Sequence, residues 1–330
     1  MSSLYITENG AFMRKKGGHV LIGRNNEILM EIPIERIEDV TLIDNIQISS
    51  QLITDFLERK IPVSWISSYG KFYGSLINNS QIDILKHRRQ FELLEEKTLY
   101  EKLAKKVIFA KIHNQLTVLR RYNRELNSES VITDIKNILA VRRNIFLAED
   151  RNQLRGYEGI ISRIYFSSLG KFLKKPFCFE KRTKQPPTDP VNSMLSLGYS
   201  MLFNEILTDI ISVGLHPYIG FFHSIAKGHP ALASDLIEEW RAVIVDSMVM
   251  SIINKNIIKF DMFNISEQGC FLSTEGRKIF LYEYNKKIRS NNKYLEEKLT
   301  YRECIMRQCR KYSQALMQNN SDIYVPIELR

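Results

Sequence analysis

From Asp83 to Arg155 the chain contains neither Pro nor Gly, the two residues that most readily interrupt a helix. The stretch is rich in Leu, Lys, Glu, Arg and Ala, a composition that favours long helices. Within it Leu103, Val107 and Ala110 recur at steps of four and three, and Leu116 and Leu119 at three, the period of one buried helix face. Lys102, Lys105, Lys106, Lys111, Arg120 and Arg121 are left for other faces, and Asn114 interrupts the stripe. A second long helix is expected after Ser130.

The first eighty residues follow a different rule. Leu4-Tyr5-Ile6 is a short apolar run, Gly17-Gly18 and Asn25-Asn26 mark hairpin turns, and 37–43 reads as a further strand. Ser49 or Ser50 can cap a short helix over 51–60 before strands return at 61–66 and, after a Tyr69-Gly70 turn, at 71–77. The expected fold is therefore α+β: a small N-terminal β domain over residues 1–80, with β-sandwich-like strands plus a short helix, followed by a larger all-α domain over 81–330. The stretch 171–190 breaks the helical pattern and reads as a basic surface loop, and Asp189-Pro190 starts a helix beyond it.

Charge separates the two parts further. The 330 residues carry a net charge of +10, yet residues 1–80 are near neutral, so the positive charge lies in the second part. A polyanion such as nucleic acid is the expected partner there. Four cysteines (Cys178, Cys270, Cys304 and Cys309) and no secretory pattern at the start fit a reducing, cytoplasmic setting, and no apolar run is long enough to span a membrane.

Three segments carry residue types suited to chemistry. In 155–166, Glu158 lies between Gly156 and Gly159 near an expected helix start, where a carboxylate serves either a site or the helix dipole. His216, His223 and His229 fall within fourteen residues, so a metal site and ordinary loop histidines are both open readings. In 232–244, Leu236, Trp240 and Val243 form a buried stripe, and Asp235 and Glu238, three apart, project from one helix face beside it. Adjacent acids repel unless a cation joins them. Hard divalent ions accept carboxylates, and Mn²⁺ accepts an imidazole, so Glu158, His223, Glu238 and Asp235 form a plausible open site against the alternative of a solvated acidic face.

Together these segments resemble the integrase family of the CRISPR adaptation module. The resemblance rests on 58–63 and 69–74 of the β part, Lys111-Ile112-His113-Asn114-Gln115, Gly156-Tyr157-Glu158-Gly159, 189–199, Gly214-Leu215-His216-Pro217-Tyr218 and 235–241, in that order along nearly the whole chain. It implies a β domain joined to a larger helical domain that holds Mg²⁺ or Mn²⁺ through Glu158, His223 and Glu238, with Asp235 at a further acidic position of the motif. It also implies transesterification, in which the 3′-hydroxyl of a short DNA fragment attacks a phosphodiester at the edge of a repeat. The implied partners are double-stranded DNA (captured fragment and CRISPR repeat), a second copy joined through the β domain, and a smaller companion protein of the same module, with no membrane. Charge inference adds Arg155, Arg163, Lys181, Arg182, Lys184, Lys227 and Arg241 as candidates for gripping DNA, with Arg241 also able to pair with Glu238 or Asp235. Two rival functions use the same features: a stand-alone metal-dependent DNase on branched or single-stranded DNA, and a non-catalytic basic DNA-binding scaffold.

Overall fold

The computed structural model describes residues 2–68, 70–184, 186–294 and 297–329; Tyr69 of the expected turn lies outside the described residues. The chain divides into two compact units, Met1–Gln81 and Ile82–Arg330.

In the first unit, β1 (Ser2–Ile6), β2 (Phe12–Lys16), β3 (His19–Arg24), β4 (Glu27–Pro33), β5 (Ile37–Ile43), β6 (Gln47–Ile48), α1 (Ser50–Glu58), β7 (Val63–Ile66) and β8 (Phe72–Leu76) follow in order. They form two four-stranded sheets, ordered β1-β5-β7-β8 and β4-β3-β2-β6. The turns obey the sequence. Gly17 leads from β2 into β3 at positive φ, and Asn25 and Asn26, both left-handed, close the β3–β4 hairpin. Gly23 is required by close approach, because a Cβ there would lie 2.4 Å from both the Glu27 carbonyl oxygen and the Phe12 ring. Inward residues of both sheets (Met13, Val20, Ile22, Val40, Leu42 and Val63) meet Leu52 and Phe56 of α1 in one core. Ser49 takes the N-cap position of α1, but its hydroxyl makes no capping bond.

The second unit is mostly helical: α2 (Ile84–Glu96), α3 (Thr98–Leu126), α4 (Glu129–Arg142), α5 (Arg151–Gly170), α6 (Pro190–Ser212), α7 (Ala231–Leu236), α8 (Glu238–Trp240), a π-helical turn (Arg241–Asp246), α9 (Ser247–Asn254), α10 (Thr274–Ile288) and α11 (Tyr301–Met317). Two hairpins interrupt the helices, β9 (Phe263–Ser266) with β10 (Gly269–Leu272) and β11 (Asn291–Tyr294) with β12 (Glu297–Thr300). The breaker-free stretch becomes α2, α3 and α4, with Leu103, Val107, Leu116 and Leu119 of α3 completely buried. Asp189 caps α6 by accepting from the Asn192 amide, and Pro190 is its first residue. Among the described residues no helix is long and apolar enough to cross a membrane.

Two expectations are corrected. The stretch 171–190 is irregular but is more than a surface loop: Phe177 and Phe179 are buried, and a Cβ on Gly170 would strike the Phe179 carbonyl. Apolar anchors therefore hold its basic residues against the helices. The region 232–244 is helical throughout, Ile237 included, but the helix is not regular: the ladder tightens at Trp240, whose amide donates to the Ile237 carbonyl, and widens to a π turn from Arg241.

Phe56→Ala removes a completely buried aromatic from the β core and is expected to destabilise that unit by about 3–5 kcal/mol. Asp189→Ala, which removes one cap, should cost about 1 kcal/mol. Chemical denaturation of the two variants checks both values and their order.

Candidate active site

The apolar face of α3 carries a charge in its middle. Lys111 lies four residues beyond Val107, and the expectation that it occupies another face is corrected: its side chain is 8% exposed. It is held inside because two carboxylates replace its lost water. Nζ lies 2.5 Å from Oε1 of Glu158 and 2.6 Å from Oε2 of Glu238.

Glu158 reaches this point from α5. It is not a helix-start residue, since α5 begins at Arg151, and the side of the helix bearing Gly156 and Gly159 is open, with nothing within 4 Å of an added Cβ at either glycine. Ser162, one turn on, donates to the same Glu158 oxygen at 2.6 Å. Glu238 comes from α8, one turn beyond Asp235. Its Oε1 accepts from Arg241 Nε at 3.1 Å, the pairing anticipated for Arg241, while Oε2 faces the lysine without an aligned hydrogen bond. Burial pushes both carboxyls up, but the cations outweigh it: Arg241 and Lys111 hold Glu238 down to about 2, and Lys111 holds Glu158 below its ordinary value. Burial likewise opposes the Lys111 charge, and the two glutamates reverse that effect. The four groups sum to zero charge.

His223 lies in the loop between α6 and α7, and Asp235 fixes it. One carboxylate oxygen of Asp235 accepts from the amides of Phe221 (2.5 Å) and Phe222 (2.9 Å), and the other meets the His223 amide and the His223 Nδ1, each at 2.7 Å. Asp235 is completely buried, and Gly220 lets the loop wrap it, since a Cβ there would lie 2.4 Å from its oxygen. Both Asp235 oxygens are thus committed, and Nε2 is the His223 nitrogen left for another partner. Arg155 ties this loop to α5 by donating to the Phe222 carbonyl and Ser224 Oγ, each at 2.9 Å.

Asp235 and Glu238 do not project from one solvated face. Asp235 faces the histidine loop and Glu238 faces Lys111, and both are buried. His216 packs against His87 and Tyr218 instead, and His229 lies 6.1 Å from His223 ring to ring. Cys304 and Cys309 are buried thiols of α11.

A basic cluster borders the carboxylates. The guanidiniums of Arg182 and Arg241 lie over the Tyr199 ring, 5.3 and 4.6 Å from its centroid. Asn192 and Ser196 of α6 accept from Arg182 and fasten the 171–190 segment. Partial desolvation, with the Arg241 and Arg182 charges beside it, pushes the Lys184 ammonium down. Beneath them Asp246 accepts from the hydroxyls of Tyr199 (2.5 Å) and Tyr165 (2.8 Å), and burial pushes it up to about 6. Arg163, Lys181 and Lys227 are exposed. Behind the site, Asn114 donates to the carbonyls of Glu239 and Ile327 and accepts from the Leu329 amide, while Glu239 accepts from Tyr324 Oη and the Ile327 amide.

The sequence reading did not assign Lys111, Asn114, Tyr199 and Asp246 to the site. For the first two a signal exists, since both are polar residues at stripe positions of an otherwise apolar face. Tyr199 ends the 189–199 segment of the resemblance, whereas Asp246, 47 residues on, lies outside every such segment and carries none.

The donor set fits a hard divalent cation: two ionised carboxylates, one with a buried oxygen lacking an aligned donor, and an imidazole with a fixed tautomer. Among the described residues, however, no group of three or more His, Cys, Asp or Glu side chains is placed to hold a metal ion. Between Glu158 and Glu238 stands the Lys111 ammonium. Gly220→Ala is expected to cost about 1–3 kcal/mol and to loosen His223, because the added methyl meets Asp235 and the Ala231 backbone; thermal denaturation and the His223 ring resonances in NMR spectra check it.

Comparison with known proteins supplies the family. The model of "CRISPR associated protein Cas1" matches residues 4–286. A CRISPR-associated endonuclease Cas1 of Thermus thermophilus is 30% identical over 311 residues, 93% of this chain and 91% of the relative. Among solved structures, a Cas6-RT-Cas1–Cas2 complex contains a longer chain, of which this one spans 36%; the match covers all of this chain with TM-score 0.82 and 26% identity. A casposase bound to integration product shares the fold, with TM-score 0.83 and 22% identity over 97% of this chain and 92% of the casposase. The matched family model and the near full-length relative establish that this chain belongs to the Cas1 family of CRISPR-associated proteins.

Proposed function

We propose that this chain is a metal-dependent DNA integrase of CRISPR adaptation. It joins the 3′-hydroxyl ends of short double-stranded fragments into the repeat of a CRISPR array by transesterification, and it cuts DNA when water replaces the hydroxyl. The observation that carries this reading is the convergence of Glu158 and Glu238 on one cationic position, beside an imidazole that a buried aspartate holds in place. The endonuclease name of the Thermus relative and the integration product held by the casposase agree with it.

In this reading Glu158, His223 and Glu238 hold Mg²⁺ or Mn²⁺, which when bound supplies Lewis-acid stabilisation of charge on the attacking, bridging and leaving oxygens. Asp235 acts through His223: with both oxygens spent on the loop, it fixes the tautomer and the ring direction and is not itself a ligand. Arg182, Lys184 and Arg241 orient the phosphate entering beside the carboxylates, and the exposed Arg163, Lys181 and Lys227 follow the backbone further out. Arg155, spent on the histidine loop, holds the site together. One P–O bond forms as one breaks, so no nucleotide cofactor is needed.

The near-neutral β unit suits protein contact. Its edge strand β4 exposes Ile28, Leu29 and Met30, an apolar edge that a second copy would cover. A homodimer through this unit, assembled with the smaller companion protein of the module, follows from the proposal; the similar Cas6-RT-Cas1–Cas2 complex supports the companion.

The test is strand transfer of short 3′-hydroxyl duplexes into a supercoiled plasmid carrying a repeat, with the companion protein and Mg²⁺, Mn²⁺ or chelator. Joining is expected to require metal and to fall about a hundredfold or more in Glu158→Ala, His223→Ala and Glu238→Ala. Asp235→Asn should fall about 10- to 100-fold. Metal-dependent cutting without joining would instead identify a stand-alone DNase, and DNA binding untouched by all four substitutions, with no cutting or joining, a scaffold.

A further inference from the structure

The position between Glu158 and Glu238 is filled by an ammonium belonging to the chain itself. Nζ stands 2.5 and 2.6 Å from one oxygen of each carboxylate, little more than the about 2.0–2.3 Å at which a hard divalent cation would sit. A lysine and a dication cannot share that point. Their coexistence nearby is also disfavoured by charge. With Glu158, Glu238, Lys111 and Arg241 the buried cluster is neutral; a dication added to it leaves +2, whereas a dication in place of the lysine leaves +1, which one phosphodiester cancels.

We propose that Lys111 is a built-in placeholder for the metal: it holds the Glu158 and Glu238 carboxylates together in the metal-free protein and is displaced by the cation. The inference rests on the metal site of the proposed function and deepens it. Without a cation between them the two carboxylates would repel across a buried gap, so the lysine preserves the ligand geometry while the site waits. The same charge then competes with the metal and weakens its binding. Displacement is mechanically simple, because the ammonium ends a flexible four-carbon stem, whereas Glu238 is also held by Arg241 and Glu158 by Ser162. Lys111 is a positioning residue in this scheme, and its signature is opposite in the two states: it stabilises the metal-free form and opposes the loaded one.

The experiment compares wild type with Lys111→Met, without DNA, by Mn²⁺ titration followed by electron paramagnetic resonance and by thermal melting with and without Mn²⁺. Lys111→Met should melt lower than wild type when metal-free, bind Mn²⁺ about tenfold or more tightly, and gain more in melting temperature from Mn²⁺. Equal or weaker Mn²⁺ affinity in the variant overturns the placeholder while leaving the metal site standing. Absence of Mn²⁺ binding in both proteins overturns the metal site and the placeholder together. Should the variant fail to fold, a crystal structure of wild type with Mn²⁺ decides the matter. Nζ is expected to have left its bridge between the two carboxylates, and Mn²⁺ bound to Glu158 and Glu238 with that bridge intact refutes the proposal.

Discussion

An ammonium taken out of water is tolerated only where acceptors replace its hydration, and in the helical unit that requirement falls on Lys111. Its two carboxylates come from different parts of the chain, one from α5 and one from α8, so satisfying one lysine fixes the mutual position of three elements. To the extensive apolar packing around α3 it adds a charge bridged at 2.5 and 2.6 Å, a directional constraint that apolar contacts lack. The ion pair contributes placement more than net stability, because desolvating three charges costs about what their attraction returns.

The helix at 231–254 extends the same logic. Asp235 and Glu238 lie one turn apart, where two buried carboxylates sharing one surrounding would repel. Each instead has its own partners, three amides and an imidazole for Asp235, a lysine and an arginine for Glu238. The π turn that follows brings Arg241 over Tyr199 and Asp246 under it.

Much of the fold was legible in the sequence because it depends on local rules. Glycine and asparagine at the hairpins, the missing breakers from Asp83 onward, and the Asp189-Pro190 start each act over a few residues. The candidate site was legible as residue types, and the gathering of Glu158, Asp235, His223 and Glu238 into one region required the family resemblance. What could not be read was the partner of each group. Lys111 looked like one more surface lysine, although its place on the apolar stripe, with Asn114 three residues on, was the signal that this face continues inward as polar contacts. The burial of the 171–190 segment was hidden as well, since its lysines and prolines outweigh Phe177 and Phe179 in any local reading.

The contacts of Asn114 and Glu239 with residues 324–329 bear on how the molecule is made. Asn114 belongs to the helix that carries Lys111, and Glu239 is the neighbour of Glu238, yet the groups that satisfy their buried polar atoms are translated more than eighty residues after Glu239 and more than two hundred after Asn114. While the chain is still emerging from the ribosome, α3 and the turn after α7 can pack, but their shared back wall remains open. That wall is therefore closed only once residues 324–329 have been made, long after α3 itself, so the helix that carries Lys111 must wait for a distant segment before its buried polar groups are satisfied.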